Sequence, residues 1–289
     1  MNAAFTATKN YSGRFYVILK QEKQLIMLNI SIVSALVFLL QTAIAPPTAL
    51  SLSAVVTTEQ ASTANEARNN PINNAINHQL LDSLLQKHVS DLGKVNYKTL
   101  KANKAALDAY CQLLSDNPVQ EIWTRDEKMA FWINAYNAFT LKLIVDNYPT
   151  KSILNFDGGK TWDVRRIKIG DKKYSLNNIE NDILRPQFKD PRIHFAVNCA
   201  AKSCPPIWNH AYTAENLETS LEARARAFVN DKRYNTLSST RAQVSKIFDW
   251  YGADFGDLKK FLNQYAETKL KSNATVIFND YNWDLNGND

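Results

Sequence analysis

The sequence predicts an α+β fold: a mostly helical single domain with a small antiparallel sheet, preceded by a signal or anchor segment and a flexible tether. Several long stretches have apolar residues at helical spacing, whereas only short stretches alternate as strands do. One uncharged segment near the N-terminus is long enough to span a bilayer. Of the 289 residues, 45% are hydrophobic and 21% charged, which is ordinary for a soluble globular protein.

The N-terminal part of the chain predicts export. Residues 25–45 hold 21 positions without a charge, after a basic region at residues 1–24 and before small residues that resemble a cleavage site. They predict a signal peptide or a membrane anchor, with a buried core helix as the alternative. Residues 46–75, rich in Ser, Thr, Asn and Ala, predict a flexible linker. We therefore expect a globular domain at residues 76–289 that is periplasmic, or membrane-anchored and facing the periplasm or exterior, where thiols can oxidise.

The charge balance argues against nucleic acid as a partner. The formal net charge is +6, and residues 1–53 supply half of it through four basic side chains against one acidic one. The rest is too small and too scattered for a basic groove. We expect a small-molecule or peptide ligand, and contact with a membrane through residues 25–45 if they are not cleaved. Phosphate-loop, dinucleotide and serine-hydrolase motifs are absent from the sequence, and we expect no cofactor.

Helices dominate the first half of the globular part. Residues 77–89 and 97–116 each carry an apolar stripe at helical spacing, and Cys111 beside the second stripe is expected to be buried and inert. Residues 124–148 open with a capping box and stop before a proline. This third helix is apolar on all sides, which predicts that it is buried.

Two asparagines on the third helix need hydrogen-bond partners. Asn134 and Asn137 are three positions apart and share a face. A buried amide without partners is costly, so they either clamp a neighbouring loop through its backbone or line a polar pocket. Glu180 lies on a predicted short helix, capped by Ser175 and ending at Pro186. It is either solvated or a buried partner of the asparagines.

The second half predicts strands as well as helices. Residues 164–176 predict a hairpin around a Gly-Asp turn. Residues 192–199 alternate cleanly and predict a strand, with His194 and Cys199 on opposite faces and about 16 Å apart. The remaining predicted elements are an amphipathic helix at residues 213–231, a short strand, a turn and a final helix at residues 243–262, and a last strand at residues 275–285.

The stretch HFAVNCAAKSCPP, residues 194–206, concentrates the reactive residue types. One hypothesis is a disulfide between Cys199 and Cys204, which suits an exported protein and closes a short loop. Another is a thiol nucleophile that needs a base within hydrogen-bond reach. In a regular strand His194 cannot reach Cys199, but Cys204, beyond the bend, can fold back towards His194 or Asn198. That arrangement would give a papain- or transglutaminase-like Cys-His-Asn set.

A third hypothesis for this stretch is a metal. His194, Cys199, Cys204 and His210 are potential zinc ligands, but their spacing matches none of the usual zinc motifs. We therefore expect no metal here.

Three motifs together resemble a known family. FWINAYNAFTLKLI, DPRIHFAVNCAAKSCPPI and VSKIFDWYGADFG occur in the order and style of the DUF547 family, a domain of unknown function, over roughly residues 90–265. The resemblance implies no settled activity. It implies recurring polar residues, which in this sequence are Asn134, Asn137, Glu180, His194, Asn198, Cys199, Cys204, Lys246 and Asp254.

Two functions are compatible with these features. The first is a cysteine-dependent hydrolase or acyltransferase that attacks an amide or thioester, with His194 as base and Asn198 or Asn134 orienting it. The second is a non-catalytic periplasmic module that binds a peptide or small ligand and has a structural Cys199–Cys204 disulfide. The candidate catalytic residues are Cys199, Cys204, His194 and Asn198, and the candidate pocket residues are Asn134, Asn137, Glu180, Lys246 and Asp254.

Overall fold

A computed structural model describes residues 75–287, which have an α+β fold of helices and two small sheets. The predicted signal or anchor segment and nearly all of the predicted linker lie outside these residues. Within residues 75–287, no helix combines the length and the apolar character needed to cross a bilayer.

The first four helices follow the predicted pattern. They are α1 (Gln79–His88), α2 (Tyr97–Ala102), α3 (Lys104–Asp116) and α4 (Arg125–Asp146). The predicted second helix is therefore two helices, separated where Asn103 ends α2 by bonding back to the Thr99 carbonyl. In α4 the predicted capping box is present, since Thr124 and Glu127 satisfy each other's backbone amides. Burial on nearly every side of α4 makes it the central element of the larger core.

A hairpin and a π-helix follow α4. Strands β1 (Ile167–Ile169) and β2 (Lys172–Tyr174) pair antiparallel, as predicted. Ser175 then caps a π-helix, Asn178–Phe188, by accepting the amide of Asn178. The prediction that this helix ends at Pro186 was wrong. The helix includes Pro186 in its last turn and closes when the amide of Lys189 bonds to Arg185.

The predicted strand at residues 192–199 was wrong. A short 3-10 helix, Pro191–Phe195, occupies this place and leads into a loop. Asp190 caps it by accepting the amide of Arg192, and the fixed φ of proline favours a helical first turn. The alternation was misleading because residues on both supposed faces, such as Phe195 and His194, are buried.

A second, aromatic core lies towards the C-terminus. The elements around it are α5 (Leu217–Asn230), β3 (Thr236–Leu237), β4 (Arg241–Val244), α6 (Ile247–Trp250), α7 (Gly252–Phe255), α8 (Leu258–Tyr265) and β5 (Thr275–Phe278). Strand β4 pairs antiparallel with β3 but parallel with β5, so the prediction of an antiparallel sheet is wrong for this second pair. Phe195 from the 3-10 helix packs among Phe228, Phe248 and Phe261, which fixes that helix against this core.

Candidate functional site

A cavity of about 350 Å³ lies beside the segment that carries both clustered cysteines. Its walls come from α4, the turns at residues 159–163, the π-helix, residues 194–205, residues 247–251 and residues 281–283. The reactive or hydrogen-bonding side chains at its wall include Glu180, His194, Cys199, Cys204, Tyr251 and Tyr281. Sequence-distant segments thus meet at one site.

The loop that presents Cys199 is held in an uncommon backbone conformation. Ala200 has φ of 63°, in the left-handed region that residues other than glycine rarely adopt. The side chain of Asn198 stabilises the turn, because it accepts the amide of Ala200 at 2.9 Å and donates to the carbonyl of Pro205 at 2.8 Å. Asn286 also donates to Asn198. With these contacts Asn198 shapes the loop, and it does not line the cavity.

The sulfur of Cys199 lies among hydrogen-bond donors. Its distance to the Tyr281 hydroxyl is 3.2 Å, and the amide of Cys199 donates to the sulfur of Cys204 at 3.0 Å. The hydrogen bond with the Cys204 side chain, helped by Tyr281 and the backbone of Ala201, lowers the pKa of Cys199 against the effect of burial. Burial and the neighbouring Cys199 raise the pKa of Cys204 well above its ordinary value. Of the two thiols, Cys199 loses its proton first.

All three cysteines of the described region are free thiols. The structure therefore does not contain the Cys199–Cys204 disulfide of the second hypothesis, and these two side chains meet as a hydrogen-bonded pair. Cys111 is buried as predicted, and burial raises its pKa to about 12. Its position in α3 is away from the cavity.

His194 is oriented by a carboxylate. Its Nε2 lies 2.8 Å from Oδ2 of Asp254, and its ring stacks on Tyr251 with centroids 4.0 Å apart. Arg185 binds both oxygens of Asp254, at 2.6 Å and 2.9 Å. The hydrogen bonds from His194 and then Arg185 hold the pKa of Asp254 well below its usual range. Nε2 is the ring nitrogen that bonds to Asp254, and Nδ1 forms no hydrogen bond with another described residue. The predicted opposite placement of His194 and Cys199 was wrong, because both side chains line one cavity.

Glu180 is buried at the cavity wall with 5% of its surface exposed, so the prediction of a solvated glutamate was wrong. It lies beside the hydroxyl of Tyr251, and burial followed by the charge of Glu180 raises the pKa of that tyrosine. Tyr136, from α4, has its pKa raised by the same two causes in the same order. Glu180 is therefore not the partner of the two asparagines.

A family model described as "Protein of unknown function, DUF547" matches residues 120–229. Residues 120–229 carry a DUF547 domain. This confirms the resemblance noted in the sequence. The matched segment includes α4, the π-helix and residues 194–204, whereas Tyr251, Asp254 and Tyr281 lie beyond it. No curated protein and no solved structure matches the chain.

In this DUF547 domain the two asparagines of α4 are clamps, which is the first of the two roles considered for them. Asn134 donates to the carbonyl of Tyr212 at 2.7 Å and accepts the amide of the same residue at 3.0 Å. Asn137 donates to the carbonyl of Ala196 and accepts the amide of Asn198, both at 2.9 Å. Neither asparagine lines the cavity.

Two further residues considered from the sequence lie away from the cavity. Lys246 pairs with Asp249 at 2.8 Å and sits over the ring of Phe278, outside the cavity. His210, one of the four potential zinc ligands, bonds to Asp82 instead. In the part of the chain that the structure describes, no group of three or more His, Cys, Asp or Glu side chains is placed to hold a metal ion.

Sequence reasoning missed the aromatic part of the site. Tyr281 contacts Trp250 and Trp283 with ring centroids 4.7 Å and 4.6 Å apart, and Trp162 meets Trp283 at 5.5 Å. The sequence did contain one indication of a binding surface. Its aromatic residues here are neighbours of Asp, Asn and Gly, in segments that show no apolar periodicity. Large aromatic residues in such loops are more typical of a binding surface than of a core.

Proposed function

We propose that this protein is a cysteine-dependent acyl-transfer enzyme, a hydrolase or acyltransferase that acts on an amide or thioester. The observation that carries the proposal is the environment of the Cys199 sulfur, which receives hydrogen bonds at the wall of a cavity. A thiol becomes an effective nucleophile when its pKa is lowered in this way. Its neighbour Cys204 supplies part of that stabilisation as a thiol donor.

The proposed first step moves the acyl group to sulfur. Cys199 gives its proton to Nδ1 of His194, and the thiolate attacks the carbonyl carbon, so that a sulfur–carbon bond forms. The carbon–nitrogen or carbon–sulfur bond to the leaving group breaks, and the imidazolium returns the proton to that group. Asp254, bonded to Nε2, stabilises the imidazolium while it exists.

The proposed second step regenerates the thiol. His194 takes a proton from water in a hydrolase, or from a second acceptor in an acyltransferase, and the resulting oxygen or nitrogen attacks the thioester carbon. The sulfur–carbon bond breaks, and the proton on His194 returns to Cys199. Asp254 thus takes the orienting role that the sequence hypothesis gave to Asn198 or Asn134.

Acetylation by p-nitrophenyl acetate tests the proposal without knowledge of the natural substrate. We expect the full-length protein to release p-nitrophenol in a burst and to gain one acetyl group on Cys199, located by peptide mass spectrometry. Cys199→Ala should abolish the burst, whereas the matched change Cys111→Ser should leave it intact. A burst that survives in Cys199→Ala, or an acetyl group found only on other residues, would contradict the proposal.

The aromatic rings at the cavity, Trp250, Tyr281 and Trp283, favour a second candidate function, a non-catalytic module that binds a peptide or small ligand. Trp250 is 47% exposed beside Tyr281, as expected of a ring that stacks on a ligand. Thiol labelling without reductant, in a Cys111→Ser background, distinguishes the two functions. A free and fast-reacting Cys199 supports the enzyme. Two blocked cysteines that only reductant releases contradict the enzyme and support the binding module.

We also propose that the domain acts outside the cytoplasm, because residues 25–45 have the length and flanks of an export segment. Fusion of residues 1–75 to a reporter enzyme that is active only after export tests this directly. An active fusion supports export, and an inactive fusion that accumulates in the cytoplasm contradicts it.

A further inference from the structure

The cavity contains a buried carboxylate that the acyl-transfer steps do not use. Glu180 lies in the first turn of the π-helix and lines the cavity with only 5% of its surface exposed. After burial, its negative charge is the largest contribution that raises the pKa of both Tyr136 and Tyr251. The charge is therefore felt inside the cavity rather than screened by solvent.

Among residues 75–287, no basic side chain forms an ion pair with Glu180. Arg185 lies one π-helical turn further along, but its guanidinium is bonded to both oxygens of Asp254 and to Asn181. A buried carboxylate is normally paired, because removing a charge from water without compensation is costly. Glu180 has a hydrogen bond with Tyr251 and interacts with the charge of Arg185, but neither contact is an ion pair, so its carboxylate keeps capacity for a positive partner at the cavity.

The charges of the lining residues point the same way. Besides Glu180, the lining includes the exposed side chains of Lys160 and Asp163, so these three residues carry one net negative charge. Ionised Cys199 would add another. A concave, largely aromatic wall with negative charge concentrates cations and repels anions.

The aromatic side chains of the cavity wall suit a weakly hydrated cation. Tyr136, Tyr281 and Trp250 line the cavity, with Trp162 and Trp283 beside them. Tyr251 also lines it, but its ring already stacks on His194, with centroids 4.0 Å apart, and has the guanidinium of Arg185 over it at 5.1 Å from the centroid. The faces of such rings attract ammonium groups, and aromatic cages with a nearby carboxylate are a recurrent solution for binding quaternary ammonium and protonated amines.

We propose that the cavity has a subsite for a cationic amino group, protonated or quaternary, with Glu180 as counter-charge and the aromatic wall as cage. The inference deepens the proposed function and rests on it, since it assigns the substrate class: an acyl compound that carries a positively charged nitrogen.

Calorimetric titration of the full-length protein tests the subsite without any reaction. The probes are choline, its neutral isostere 3,3-dimethylbutan-1-ol, and n-butylammonium, which separates a quaternary from a protonated nitrogen. We expect at least one of the two cations to bind about tenfold or more tightly than the neutral alcohol. Equal affinities for cation and isostere, or no binding of either cation, would overturn the subsite.

Two substitutions test whether the charge of Glu180 causes the preference for a cation over the neutral alcohol. Glu180→Gln keeps the shape of the side chain. In this variant the ratio of the affinity for the cation to the affinity for the neutral alcohol should fall close to one. Asp182→Asn, an exposed change on the same helix, should leave the preference as it is. A preference that survives Glu180→Gln would overturn the role of Glu180. If Glu180→Gln does not fold, Trp250→Ala at the exposed rim decides: the inference requires weaker cation binding by about threefold or more, and unchanged binding overturns it.

A pair of thioesters separates failure of the subsite from failure of the proposed function. Acetylthiocholine and the acetyl thioester of 3,3-dimethylbutane-1-thiol differ in charge but hardly in shape. Faster acetylation of Cys199 by the cationic thioester supports both proposals. Equal acetylation by the two supports the enzyme and overturns the subsite. Choline binding without acetylation by either thioester leaves the subsite standing and contradicts the enzyme.

Discussion

Buried polar side chains occur in two regions of this domain and are used differently in each. On α4, Asn134 and Asn137 each use both amide groups on the backbone of a neighbouring segment. At the cavity, Cys199 contacts a thiol and a tyrosine hydroxyl, and Glu180 faces tyrosines, with open space in front of both. Buried polar side chains thus hold neighbouring segments in place on α4, whereas at the cavity they remain available to a ligand.

The two regions differ in how many of the hydrogen-bonding groups of each buried side chain already have a partner, which we call saturation. A primary amide has one donor group and one acceptor group that match a backbone carbonyl and amide, so a clamp of this kind leaves little for a ligand. A sulfur or carboxylate at a cavity wall keeps unused acceptor capacity. Four changes to the protein test whether saturation separates the two regions.

The largest expected effect is on the clamp. Asn137→Leu leaves the carbonyl of Ala196 and the amide of Asn198 buried without partners, and each such group costs about 1–3 kcal/mol, so we expect the free energy of unfolding to fall by about 2–6 kcal/mol. Denaturant unfolding measures it. Asn273→Leu, a control at an exposed asparagine in the turn before β5, should change it little. A loss below about 1 kcal/mol for Asn137→Leu would remove the distinction between the regions.

A buried histidine away from the cavity gives a pH-dependent effect. Burial lowers the pKa of His78, which bonds to the hydroxyl of Tyr110 at 2.7 Å, to about 4. Between pH 6.5 and 4 the unfolded chain takes up a proton at this position and the folded chain does not. Stability from this group is thus complete above about pH 6.5 and is lost as the pH falls, by about 3 kcal/mol in all.

His78→Gln keeps a hydrogen-bonding side chain opposite Tyr110 but cannot titrate in this range. We expect the pH dependence of the unfolding free energy between pH 6.5 and 4 to become correspondingly shallower in the variant. Parallel curves for variant and parent would show that His78 is not the group responsible.

On the cavity side, the next effect is kinetic. Asp254→Asn weakens the orientation of His194 and the stabilisation of its imidazolium. Acetylation of Cys199 by p-nitrophenyl acetate should therefore slow by about 10–100-fold, which is at or below the usual contribution of general acid–base catalysis to a rate. Asp249→Asn is the matched control, because Asp249 lies nearby in the sequence but pairs with Lys246 outside the cavity. Equal rates for both variants would contradict the role of Asp254.

The smallest expected effect comes from a single hydrogen bond. Tyr281→Phe removes the hydroxyl 3.2 Å from the sulfur of Cys199 and keeps the ring against Trp250 and Trp283. A hydrogen bond of about 0.7–1.4 kcal/mol corresponds to a decrease of about threefold to tenfold in the alkylation rate at pH 7. An unchanged rate would mean that Tyr281 does not stabilise the thiolate.

Local signals made much of the fold predictable. The capping box of Thr124 and Glu127, the apolar stripes of α1 and α3 and the turn between β1 and β2 are short-range features, and each occurs as expected. Residues 192–199 show the limit of such signals. Their alternation is compatible with a strand, but a proline and the Asp190 cap produce a 3-10 turn, and burial on all sides hides the difference in the sequence.

The site was predictable only in part, because its geometry depends on tertiary structure. The sequence pointed to Cys199, Cys204, His194 and Glu180, and the structure places them at one cavity. It did not indicate that Asp254 would orient His194 from 60 residues away, or that Tyr281 would reach the sulfur of Cys199 across 82 residues. Contacts over such separations follow from packing of the aromatic core and have no local sequence signal.

The most direct measurement of the central claim is the pH dependence of alkylation of Cys199 by iodoacetamide in a Cys111→Ser background, with the modified residue located by mass spectrometry. The account predicts that Cys199 reacts before Cys204. It also predicts that the alkylation rate of Cys199 rises with pH and reaches half of its maximum below about pH 8.5, the value for an ordinary cysteine. A midpoint at or above that value, or alkylation of Cys204 first, would contradict it.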